Sequence, residues 1–97
     1  MRGIINQLVD WRPSVDWCQR DIDTSRETYV RVRDGYAEYA ARVPETLPPE
    51  KFFAQVPYLF TEYHEHTPWR EANRFEAVLY INGKKVDERM FWIDPAE

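Results

Sequence analysis

The clearest hydrophobic pattern lies in the last third of the chain. From Arg74 to Ile93, two runs of strand-forming residues flank Asn82-Gly83. Asn-Gly tolerates the positive φ angles that both central residues of a tight hairpin turn require. The spacing predicts a β-hairpin over residues 74–93. With Asn82-Gly83 at its tip, Ile81 faces Lys84, Leu79 faces Val86, Ala77 faces Glu88 and Phe75 faces Met90. On the other side Tyr80 pairs with Lys85, Val78 with Asp87 and Glu76 with Arg89. Side chains alternate along a strand, so Tyr80, Val78, Phe91 and Ile93 share one face, opposite Leu79, Val86, Met90 and Trp92.

Upstream the period lengthens. Ile4, Leu8 and Trp11 share one helical face, which predicts a short amphipathic helix over residues 3–11. Ser14 can cap a further turn or two carrying Val15, Trp17, Cys18 and Ile22. Thr24 and Glu27 form a capping-box pattern, and Tyr29, Val32, Tyr36, Tyr39 and Val43 follow at helical spacing. Glu27–Arg31 and Glu38–Arg42 flank that stripe as favourable i,i+4 pairs. The same stretch also fits a second hairpin, Thr28–Arg33 and Tyr36–Arg42, turning on Asp34-Gly35. A helix over residues 24–43 is preferred because the stripe and both charge pairs agree with it. Pro48-Pro49-Glu50 opens a short helix through Val56, Pro57 closes it, and Tyr58–His64 has strand-like composition. A loop over residues 67–73 then leads into the hairpin. The expected fold is a single α+β domain over residues 1–97. Two or three N-terminal helices would pack on a C-terminal three-stranded antiparallel sheet ending in the 74–93 hairpin.

Composition narrows the classes. A chain of 97 residues, 43% of them apolar, supports one modest core. Four Trp, six Tyr and five Phe are many rings for so short a chain, which places some of them at a surface or interface. The net charge of −4 resides wholly in residues 44–97, with six basic and ten acidic groups. No basic surplus is present to neutralise phosphates, so nucleic-acid binding is disfavoured even for the arginines of residues 26–42. Cys18 is the single cysteine, which excludes an intramolecular disulfide. Residues 1–11 are too short and polar for a membrane span and lack a signal peptide's apolar run, so a cytoplasmic location is expected. Arginine outnumbers lysine ten to three, a bias of GC-rich bacterial or phage genomes.

Candidate chemistry centres on Glu62-Tyr63-His64-Glu65-His66. On a strand, Glu62, His64 and His66 would line one face, and two imidazoles with a carboxylate suit zinc or a similar divalent ion. His64-x-His66, followed by Glu76 and, after six residues, Gly83, resembles the first metal-binding motif of cupins. The resemblance implies a metal site of His64, His66, Glu62 and Glu76 in a small metal-dependent enzyme. It spans about 20 residues, the gap from His66 to Glu76 is longer than the motif's, and no second histidine motif follows. Elsewhere the pattern points away from an enzyme. Cys18 has no histidine near it in sequence, Ser14 and Ser25 sit in no nucleophile-elbow motif, and Gly3, Gly35 and Gly83 are isolated.

Apolar groups on both faces of the hairpin suggest a surface that something else covers. Trp, Tyr, Phe and Arg, the side chains interfaces favour, are abundant here. The leading expectation is therefore a non-enzymatic protein-binding module, such as a phage- or mobile-element-encoded inhibitor or an accessory subunit. It would contact a protein partner or a second copy through Tyr80, Val78, Phe91, Trp92 and Trp69.

Overall fold

Alternation, not helical spacing, decides residues 28–42. Val30 and Val32 point into the core on one strand, Tyr39 and Ala41 on the next, and all four are buried. In a computed structural model of the chain, described for residues 9–13, 22–23, 25–35, 37–64 and 74–93, these residues form strands β2 (Thr28–Arg33) and β3 (Glu38–Arg42). The expected helix over residues 24–43 is thus corrected to the hairpin that competed with it. Asp34 closes the connection: its N–H donates to the Ala37 carbonyl at 3.1 Å, and its Oδ1 accepts the Ala37 N–H at 2.8 Å. Three of the four charges expected in helical pairs, Glu27, Glu38 and Arg42, meet other partners. Glu27 meets Arg42 at 2.5 Å, and Arg33 lies 3.8 Å from Glu38 and 2.9 Å from Glu76.

The short β1 (Arg12–Pro13) borders β3, and the long hairpin supplies β4 (Arg74–Ile81) and β5 (Lys84–Trp92). All neighbours are antiparallel, in the order β1-β3-β2-β4-β5. The fold class therefore needs correction. Among the described residues there is one helix, on a sheet of four full strands extended by the two-residue β1, not two or three helices on three strands. The expected helices over residues 3–11 and from Ser14 fall mostly outside the described residues; Val9 to Trp11 are not helical.

That helix, α1, runs from Pro49 to His64. Pro49 sits in the first turn, where its missing N–H costs nothing. Pro57 does not end the helix, and Tyr58–His64 is helical rather than extended. An interior proline costs about 3 kcal/mol. Against it stand Phe52, Phe53, Val56, Leu59 and Phe60, all buried on one stripe and each contributing about 1.5–3 kcal/mol. Packing wins. Because β3 and β4 both flank β2, they run parallel to each other, and α1 joins them across the sheet. Phe60 is the centre of the core: its ring lies 5.2 Å from Trp11, 5.5 Å from Tyr39 and 5.2 Å from Phe75.

The long hairpin turns on Asn82 (φ 52°) and Gly83 (φ 83°), as the sequence predicts. Ile81 pairs with Lys84 and Tyr80 with Lys85, and then the register slips. Leu79 faces Asp87, so Val86 is an extra residue, a β-bulge, and beyond it Val78 faces Glu88, Glu76 faces Met90 and Phe75 faces Phe91. One residue of slip turns the rest of the strand over.

Candidate functional site on the open sheet face

One side of the sheet carries α1 and the main core. The other presents Tyr29, Arg31 and Arg33 from β2, Glu38, Ala40 and Arg42 from β3, and the even-numbered residues from Arg74 to Tyr80 of β4. The bulge decides what β5 adds. In the register expected from sequence, Phe91 lies with Tyr80 and Val78, and Met90 and Trp92 lie opposite. In the structure Phe91 is a core residue, stacked on Phe75 at 5.6 Å, and Ile93 is buried with it. Phe91 is therefore removed from the candidate contact surface. Met90 and Trp92 take its place beside Glu76 and Arg74, and they are 53% and 65% exposed. A sequence signal for this existed: only the slipped register sets Phe91 against Phe75, a favourable aromatic cross-strand pair.

The face has two regions. Toward the Asn82-Gly83 turn, Tyr29 and Tyr80 stack at 4.9 Å with planes 11° apart, and Ile22 and Ala40 pack against them. The Arg31 guanidinium lies 5.6 Å from the Tyr80 ring centroid, a cation–π distance. Val78 forms the nearly buried floor beside them, under a hollow of about 150 Å³. Ion pairs rim the hollow: Arg33 to Glu76 and Lys85 to Glu88 at 2.8 Å. Hydrogen bonding to Glu76 raises Arg33, and hydrogen bonding to Glu88 raises Lys85, so both stay cationic. The second region, at the far end of β5, consists of Met90 and Trp92 with Arg74, all exposed. Solvated ion pairs contribute about 0–1 kcal/mol each, so a partner can re-pair these charges at little cost.

Only part of the metal set expected from sequence falls within the described residues. Glu62 and His64 belong to α1 and not to the strand expected there. Glu76 lies on the sheet, bound to Arg33. The His64 side chain, His66, Trp69 and Cys18 lie outside the described residues. Among the described residues, no three His, Cys, Asp or Glu side chains come together in a group that could hold a metal ion. No helix among them is long and apolar enough to cross a membrane.

No known family model matches the chain, and neither a curated protein nor a solved structure matches it.

Proposed function

We propose that this chain is a small protein-binding module, an inhibitor or accessory subunit, whose contact surface is the open sheet face centred on Trp92 and Met90. The observation that carries this reading is two large apolar side chains, more than half exposed, adjacent on one face and bordered by Arg74. Trp, Met and Arg are enriched where proteins meet, and a solvated Trp beside a cation has the composition of an interface anchor. Tyr80 and Val78 continue the same face and would form the margin of the contact. Tyr58, 71% exposed on α1, supplies an internal control because it is equally aromatic and lies on another surface.

The test is affinity capture from the native host lysate with four baits: the parent chain, Trp92→Ala, Met90→Ala and Tyr58→Ala. A defined partner retained by the parent and Tyr58→Ala but lost by at least about tenfold with Trp92→Ala supports the proposal; that loss corresponds to about 1.4 kcal/mol. Equal capture by all four baits, or no capture together with a strictly monomeric parent, removes it. Light scattering on the same proteins distinguishes a second copy from a different partner.

A further inference from the structure

A sheet has two edges, and each exposes unpaired backbone donors and acceptors to any extended chain that can reach them. One edge here is β1, only two residues long and including Pro13, which has no N–H to offer. The other is β5, nine residues long, with no strand beyond it among the described residues. An edge of that length is a template for strand addition, and the chain must manage it.

Counting from the turn shows how. Ile81 and Lys84 exchange backbone bonds, Tyr80 and Lys85 do not, and the bulged pair Val86-Asp87 together faces Leu79. Glu88 is then turned outward, as are Met90 and Trp92. The outward N–H of Glu88, in the middle of the strand, does not point into open water. It donates to Oδ1 of Asp87, the preceding residue, at 2.8 Å. The second oxygen of that carboxylate lies 3.6 Å from the Arg89 guanidinium, which itself rests 5.1 Å from the Phe53 ring. The Asp87 side chain is thus held from below and folded over its own strand's edge. Lys84, Lys85 and the bulge at Val86 lie immediately before it, and both lysines and bulges obstruct edge pairing.

We infer that Asp87 is an edge guard: by occupying the central outward N–H of β5, it keeps the strand from pairing antiparallel with β5 of a second copy of this chain. The inference is independent of the function proposed above, since it concerns the edge of the sheet and not its face. It requires the carboxylate oxygen as an acceptor, not its charge, so asparagine at the same position retains the guard.

Three variants test this by light scattering at rising concentration. Asp87→Ala shifts toward two chains per particle, its self-association tightened by about tenfold or more, the equivalent of about 1.4 kcal/mol. Asp87→Asn behaves as the parent. Adding Glu88→Pro to Asp87→Ala returns the mass to the parent's, because proline deletes the guarded outward N–H itself without removing a bond to β4. An Asp87→Ala protein with the parent's mass at every concentration overturns the inference. So does an Asp87→Asn protein that associates as strongly as Asp87→Ala. Association that survives Glu88→Pro shows general misfolding rather than edge pairing, and also overturns it.

Discussion

Glycine 83 and glycine 35 occupy turns of similar sequence and do different things. Gly83 holds φ 83°, where any other L-residue is strained, so Gly83→Ala should destabilise by about 1–2 kcal/mol. Gly35 has no positive φ, and a Cβ there meets nothing within 4 Å. Gly35→Ala should be neutral or stabilising by about 0.4–1 kcal/mol, since it restricts only the unfolded chain. Denaturant midpoints of the two variants check this contrast. Tyr39 offers a pH-dependent counterpart. Burial first, then Tyr63 and Asp34, push its phenol up to about 12, above the ordinary value of 10.0, so the folded protein resists its ionisation. The stability this gives is fully present below pH 10.0 and is lost as pH rises through about 12. Burial raises Tyr63 as well, so it adds to the same alkaline loss. Tyr39→Phe should make stability fall less steeply over that window, as followed by denaturation at stepped pH. An equal slope in both proteins contradicts the assignment.

At the scale of elements, α1 is held by its buried stripe against its own proline. Phe60→Ala removes the ring that touches Trp11, Tyr39 and Phe75, and should cost about 3–5 kcal/mol. Pro57→Ala should instead raise stability by about 1–3 kcal/mol, because the half-buried site regains a helical N–H. Thermal unfolding of the pair measures the balance between packing and backbone. These elements also show what the sequence made legible. Asn82-Gly83 announced the hairpin because its turn chemistry is local. The 28–42 hairpin was legible only as one of two options: helical and alternating patterns overlap there, and pairing with β4 favours the strand. Tyr58–His64 was misread because composition is blind to the Phe52-to-Phe60 stripe that continues through it. Alternation alone puts Val78 and Tyr80 on one face. That Met90 and Trp92 share it while Phe91 is buried was not legible, because a single unpaired residue has no local signature.

The whole molecule divides its work between a closed side and an open one. Phe52, Phe53, Val56, Leu59 and Phe60 fill one side of the sheet; charged and aromatic groups of β2, β4 and β5 form the other. Trp92→Ala and Met90→Ala should therefore change folding stability by no more than about 0.5 kcal/mol, as surface substitutions do. Urea unfolding beside the capture experiment separates that small effect from lost binding. The bulge at Val86 has a different kind of consequence for how this chain can vary. Changing the side chain at position 86, which is exposed, leaves every partner of β5 in place. So does deleting it: without Val86 the bulge closes, and Asp87 still faces Leu79, Glu88 still faces Val78 and Phe91 still faces Phe75. Inserting one more residue there does the reverse, turning everything downstream over and pushing Phe91 into water. A systematic library should find position 86 permissive to substitution and deletion and intolerant of insertion. In evolutionary terms, this strand can lose a letter here but cannot gain one.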